Sequence, residues 1–188
     1  MKLFKAAALA GALALSGCVD VDLTTTITGA DQASVTGNMT IQRQMLEMMG
    51  GTDAFCSADD GGTLVMTDTE ARCDLAVSGT FAEVFEKNPE EPHPVATDLG
   101  DGTVRVTFPL SEMTAESEQM RADPQVAQMM RPMLEGHVFT IRVAGAEIVS
   151  STGTINDART EASWSFNLID ILDADVQMPD TFETVVRY

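Results

Sequence analysis

The sequence has few of the side chains that most enzymes use for catalysis. It contains two histidines, His93 and His137, and three cysteines in 188 residues. It has no serine-centred elbow, phosphate-binding glycine loop or spaced array of zinc ligands. His93 lies in the acidic stretch "EEPHP", whose spacing fits no zinc motif, and His137 is predicted to be a structural residue at the start of a strand. We therefore expect no catalytic residue, no metal, no cofactor and no enzymatic activity.

Basic residues are also scarce. Eleven lysines and arginines face 29 aspartates and glutamates, which gives a formal net charge of −18. Such a surface repels nucleic-acid phosphates and anionic lipid headgroups, so a nucleic-acid partner and a polybasic membrane-binding face are both excluded. The acidic residues are spread along the chain, and solubility or a halophilic habitat explains them more simply than a specific cationic partner.

No apolar run is long enough for a transmembrane helix, which needs about 20 residues. Ala6–Leu15 is apolar over ten residues and follows two lysines, which is typical of a secretory signal peptide. The run ends in "LSGC", which resembles the lipobox of bacterial lipoproteins, where small residues admit the signal peptidase and the cysteine is acylated. We predict a signal peptide over residues 1–17 and one lipid-anchored extracytoplasmic domain over residues 18–188. An ordinary cleavable signal with a chance cysteine is the alternative.

Acylation of Cys18 determines the predicted location. One acyl chain, such as palmitate, binds a membrane only marginally, whereas two or three hold firmly. In bacterial lipoproteins an aspartate directly after the cysteine favours retention in the inner membrane. Here Val19 occupies that position, which favours the outer membrane over the inner one. We expect a protein of the bacterial cell envelope that is bound to the membrane through its acyl chains and faces the periplasm.

The two remaining cysteines are predicted to form a disulfide bond. An even number of cysteines in an exported chain is typical of disulfides. The segment between Cys56 and Cys73 contains the turn signal Asp60-Gly61-Gly62, and a hairpin there would bring the two sulfur atoms together.

The pattern of apolar residues predicts an α+β fold. Alternation over Val19–Ile27 and over residues 33–41, around the turn Gly29–Gln32, indicates a hairpin. Helical spacing begins at Ile41, and a longer helical segment covers residues 111–135, restarting at Asp123-Pro124. Further strands are predicted at residues 63–66, 71–78, 104–108, 137–143, 147–151, 160–169 and 172–178, with a short one in "ETVVRY". We expect an antiparallel curved sheet with hairpins at both ends and two or three helices packed on one face.

Eleven of the twelve methionines follow the signal peptide, and they concentrate in two of the predicted helices. Thioethers can bind Cu(I), but flexible methionines with neighbouring leucines are more typical of core filling or of surfaces that accept varied apolar partners. The carboxylates in "SADDGG" and "DILDAD" do not have the spacing of a calcium-binding loop. The candidate ligand-binding residues are therefore Met45, Met48, Met49, Met129, Met130 and Met133.

A family resemblance supports these expectations. The lipobox leads into a Val/Asp/Thr strand and a hairpin with "SVTGNMTI", followed later by "GAEIVSSTGTI" and "ASWSF". This order is similar to the LppM-type lipoprotein domain over residues 18–178, and Trp164 and the turn Ser150–Gly153 carry most of the similarity. The resemblance implies a membrane-anchored envelope lipoprotein. Family members often add a carboxy-terminal transmembrane helix, which we do not expect here. One member is associated with the binding of envelope glycolipids, but the resemblance does not identify a ligand for this chain.

Two functions remain open. In the first, the sheet and the two Met-rich helices enclose an apolar cleft for a lipid or another apolar ligand. In the second, the methionine side chains of the two helices only fill the core. The protein is then a structural or protein-interaction lipoprotein whose partner is another envelope protein. An internal cavity of a few hundred Å³ would favour the first function.

Overall fold

A computed structural model describes residues 19–48, 51–85, 93–173 and 175–188. The predicted signal peptide, Cys18 and Met49 lie outside these residues. The strands are β1 Val19–Gly29, β2 Gln32–Gln42, β3 Gly62–Met66, β4 Glu70–Gly79, β5 Val95–Asp98, β6 Thr103–Pro109, β7 Val138–Ala144, β8 Glu147–Ser151, β9 Thr154–Ile155, β10 Glu161–Asn167 and β11 Thr181–Arg187. The helices are α1 Arg43–Met48, α2 Thr52–Phe55, α3 Phe81–Phe85, α4 Ser111–Ala122 and α5 Pro124–Leu134, with 3₁₀ turns at Ala58–Asp60 and Leu168–Leu172.

The fold is mixed α+β and consists mostly of sheet, but its strands form two sheets and not the single antiparallel one that we expected. A seven-stranded sheet has the order β3-β4-β2-β1-β7-β10-β9, and a four-stranded sheet has the order β5-β6-β11-β8. Towards the carboxy terminus, β9 and β10 pair antiparallel in the first sheet, whereas the last strand, β11, belongs to the second sheet.

β1 is the central strand of the larger sheet. It pairs antiparallel with β2 across the expected turn, with Val19 opposite Ile41 and Ile27 opposite Ala33. On its other side β1 pairs parallel with β7, with Val21 opposite Phe139. A parallel neighbour needs a crossover connection, and the crossover here contains β2 to β6 and the helices. An alternation pattern predicts the strand but cannot reveal this distant partner.

The core lies between the two sheets. Val21, Met39 and Ile141 of the first sheet belong to one buried cluster with Val106 and Phe182 of the second. The opposite face of β1 carries Asp20, Asp22, Thr24 and Thr26 and is at least partly exposed. The alternation in β1 therefore sorts apolar side chains to the core and polar ones to solvent.

The chain passes from one sheet to the other at a glycine. Gly145 lies between β7 and β8, and a Cβ atom there would collide with the side chain of Val186 and the carbonyl oxygen of Arg187. The two sheets therefore approach each other at this corner as closely as a residue without a side chain allows.

The long helical segment is interrupted where the sequence predicts. Asp123 separates α4 from α5, and its carboxylate accepts hydrogen bonds from the backbone N–H groups of Gln125 and Val126 at 2.9 and 3.4 Å. Pro124 follows as the first residue of α5. This arrangement is an N-cap followed by a first-turn proline, so the restart is local in origin.

The strand predicted at Leu172–Met178 is wrong. The chain turns at Leu168–Leu172 and then runs without regular structure through the described residues up to Asp180. The Arg121 guanidinium donates to the carbonyls of Ile171 and Asp173 at 3.4 and 3.2 Å, and Asp173 accepts the N–H of Asp175. These carbonyls are bonded to a side chain and not to a strand, so Asp173 and Asp175 lie in a loop and not on the outer face of a sheet.

Candidate functional site at the two ends of the central strand

The amino-terminal end of β1 is fixed to β7 through Asp20. Its carboxylate accepts the backbone N–H of Val138 at 2.8 Å, and its other oxygen lies 3.0 Å from Nδ1 of His137. The His137 side chain is 18% exposed and the Asp20 side chain 44% exposed. His137 is thus a partnered structural residue, as its position at the start of a strand predicts. Asp20, only two residues after Cys18, is part of the folded sheet.

The next acidic residue of β1 is also paired. Asp22 bonds the Arg142 guanidinium, which lies 3.6 Å from Glu161 on β10. Arg142 therefore links three neighbouring strands on the outer face of the sheet. Exposed ion pairs contribute little to stability, but here each carboxylate on the outer face of β1 has a side-chain partner, His137 for Asp20 and Arg142 for Asp22.

The predicted disulfide is present. Cys56 and Cys73 are joined, with their Cα atoms 5.4 Å apart, and both residues are buried in the core cluster. The bond joins the segment after α2 to β4. A thiol nucleophile is therefore absent at both positions.

The predicted ligand-binding methionines occupy two different helical regions. Met45 on α1 packs against the core, and α1 contacts β2 and β4. Met130 and Met133 on α5 are half-buried, Met129 is 64% exposed, and α5 packs against α4 and the 3₁₀ turn Leu168–Leu172. Met49 and the side chain of Met48 lie outside the described set. The role of these methionines in ligand binding stays a prediction.

The described part of the chain contains no group of three or more His, Cys, Asp or Glu side chains placed to hold a metal ion. His93 precedes β5 of the four-stranded sheet, whereas His137 precedes β7 of the seven-stranded one. The two histidines thus precede strands of different sheets. Nor does any helix in the described ranges combine the length and apolarity needed to cross a bilayer.

An open groove of about 510 Å³ lies at the opposite end of β1. Ile27 and the Ala144–Ala146 corner supply its apolar part, and none of the predicted methionines lines it. The other lining residues carry polar groups: Thr26, Thr28, Asn156, Thr160, Glu161 and Tyr188. Its volume falls in the range of ligand sites, roughly 300–1,000 Å³, and the mixture of apolar and hydrogen-bonding groups suits an amphiphilic molecule.

Internal hydrogen bonds hold the polar side of the groove in place. Asn156 Oδ1 accepts the N–H groups of Thr160 and Glu161 at 3.0 and 3.3 Å, and its amide nitrogen donates to the Thr160 hydroxyl at 3.3 Å. Nearby, Arg159 has a positive φ of 55° and donates to the carbonyls of Ile148 and Val149 at 2.7 and 3.1 Å. The groove was not foreseen from the sequence, because its residues come from separate segments that only the tertiary structure brings together.

One solved structure is similar to this chain. It is the NMR structure of the folded domain of the Mycobacterium tuberculosis LppM protein, with 14% sequence identity and a TM-score of 0.47. The match covers 91% of this chain and 90% of that one. The solved domain carries the name of the family that the sequence resembles.

No protein-family model and no curated protein matches this chain. A structural match at 14% identity with a TM-score below 0.5 carries no argument about function.

Proposed function

We propose that this protein is a lipoprotein of the bacterial cell envelope that is held by acyl chains on Cys18 and binds a lipid or another apolar ligand in the groove at the far end of β1. The signal sequence and lipobox support the anchor. The periplasmic orientation and the preference for the outer membrane rest on the sequence alone. One observation carries the ligand proposal: the open groove has the volume of a ligand site and is lined by both apolar and hydrogen-bonding side chains.

The groove is also far from the anchor. β1 has 11 residues, which at about 3.3 Å per residue span roughly 35 Å. Thr28 at the groove is therefore separated from Val19 by most of the length of this strand. A ligand in the groove would be held away from the anchored end of the domain. A neighbouring envelope component could reach the ligand there.

The test uses the fragment 19–188, exported to the periplasm and examined by native mass spectrometry with extraction of bound lipid. We expect a bound apolar molecule that Ala146→Phe removes, because the new ring would fill the groove. Ala76→Phe is the matched control, since Ala76 is an exposed alanine on β4 that does not line the groove. A protein that is empty and binds no envelope lipid fraction would contradict the proposal.

The second candidate is a structural or protein-interaction lipoprotein without a ligand. The filled core between the sheets favours it, since Phe182, Ile148, Val104 and Val186 are each no more than 1% exposed. In that case the fragment stays empty, and crosslinking of the anchored protein in intact cells should identify an envelope protein bound to it.

A further inference from the structure

The end of the large sheet that holds Val19 also contains exposed apolar side chains. Strand register places exposed Met66 in one row across the sheet with three buried residues: Val19 lies opposite Ile41, Ile41 opposite Ala71, and Ala71 opposite Met66. Met66 is 42% exposed at the edge strand β3. On the other side of β1, Val138 donates its backbone N–H to Asp20 and is 37% exposed. Met66 and Val138 therefore lie at the same end of the sheet, on either side of Val19, with Met66 on the face of Val19 and Val138 on the face of Asp20.

Both methionine-bearing helices meet the sheet at this end. α1 begins directly after β2, one residue beyond Gln42, and the N–H of Arg43 donates to Thr69 in the turn between β3 and β4. α5 ends at Leu134, whose carbonyl accepts the N–H of His137 just before β7. Met129 lies five residues before Leu134, about 7.5 Å along the helix axis. Met129 therefore lies within two helical turns of the end of α5, which leads through His137 into Val138 and β7.

The anchor would leave this end of the domain little freedom. Val19 is 3% exposed and already paired in β1, and one Cα–Cα step of about 3.8 Å separates it from Cys18. If Cys18 is acylated, no flexible tether separates the row from the headgroups. The acidic group nearest to the anchor, Asp20, is bonded to His137 and Val138, which reduces the cost of bringing it near an anionic surface.

We propose that Met66, Met129 and Val138 form a membrane seat, a set of apolar side chains that dips into the interface of the same bilayer that holds the acyl chains. Their occupant is the lipid surface, and the seat rests on the acyl anchor of the proposed function. Exposed Glu47, Asp68 and Glu70 near this end keep the insertion shallow, because carboxylates stay in water. The seat orients the domain, while the acyl chains supply most of the affinity.

The experiment places a tryptophan in the seat of the full acylated protein. Trp164→Phe removes the single native tryptophan, and Met129→Trp or Met66→Trp is then added. The protein is reconstituted into phosphatidylethanolamine–phosphatidylglycerol vesicles with or without brominated acyl chains. Val149→Trp is the matched control, because Val149 is 43% exposed on β8 of the other sheet.

We expect the emission of both seat tryptophans to shift to the blue on reconstitution and to be lost in part with brominated chains, while the Val149→Trp emission is unchanged. Two independent seat positions protect the test from a variant that folds poorly. Protein that floats with the vesicles but shows no quenching at either seat position overturns the seat and leaves the anchor intact. Protein that does not float overturns the anchor and the seat together. Equal quenching at Val149 would also overturn the seat.

Discussion

At the scale of single residues, the disulfide is the strongest covalent constraint on the fold. Cys56 and Cys73 are 17 residues apart, and closing a loop of this size stabilises the folded chain by about 3 kcal/mol in the chain-entropy model. The bond ties the segment after α2 to β4, so it acts beside the predicted anchor end of the sheet.

We predict that the double variant Cys56→Ala/Cys73→Ala loses about 3 kcal/mol of unfolding free energy. The measurement is urea unfolding of the exported fragment under non-reducing conditions. Wild-type protein treated with a reductant is the control, and it should lose a similar amount. An unchanged unfolding midpoint in the double variant would show that the bond does not restrict the unfolded chain.

At the scale of secondary-structure elements, a reciprocal cap sets the start of α3. The Glu83 carboxylate accepts the backbone N–H of Thr80 at 2.8 Å and its hydroxyl at 3.0 Å, and Thr80 Oγ1 accepts the N–H of Glu83 at 3.3 Å. This is the capping-box pattern, present in the sequence as "TFAE". The hydrogen bonds from Thr80, first that of its backbone N–H and then that of its side chain, hold the pKa of Glu83 below its ordinary value.

The lowered pKa predicts a direction for the pH dependence. The cap favours the charged carboxylate, so its contribution is fully present above the ordinary pKa of glutamate and is lost as the pH falls through the lower pKa of the folded chain. We expect Thr80→Ala to raise the pKa of Glu83 in an NMR titration of the side-chain carboxyl. Thr63→Ala, at an exposed threonine on β3, should leave it unchanged. A pKa that does not respond to Thr80→Ala would contradict the cap.

At the scale of the whole molecule, the two ends of β1 have different roles in our proposals. The seat and the anchor lie at the amino-terminal end, and the groove lies at the other end. Without the signal peptide, nine basic residues face 29 acidic ones, a formal charge of −20. Repulsion from anionic headgroups would then favour an orientation in which only the anchored end touches the bilayer.

We predict that a spacer of about twenty Gly/Ser residues inserted directly after Cys18 impairs function. Such a linker has a root-mean-square length of roughly 25 Å, so the domain could leave the surface and turn. The measurement is complementation of a deletion strain in any assay that shows a deletion phenotype, with the unmodified chain as control. Full complementation by the spacer variant would show that close apposition to the membrane is dispensable.

The sequence by itself determined the features that depend on neighbouring residues. Alternation predicted β1 and β2, the Asp123-Pro124 pair predicted the break between α4 and α5, and the even number of cysteines with a turn between them predicted the disulfide. Each depends on side-chain periodicity, a local cap or a short loop, which are all visible in a window of a few residues. The strand predicted at Leu172–Met178 failed, because Arg121, about fifty residues away in the chain, bonds the carbonyls there.

Only the tertiary structure decided how the strands are distributed and what their ends bring together. The parallel pairing of β1 with β7, the division into two sheets and the bond between Asp20 and His137, 117 residues apart, all join distant segments. An alternating pattern states which face of a strand is apolar but not which strand lies beside it. The groove and the row that contains Val19 depend on that choice of neighbours, so neither could be read from the sequence.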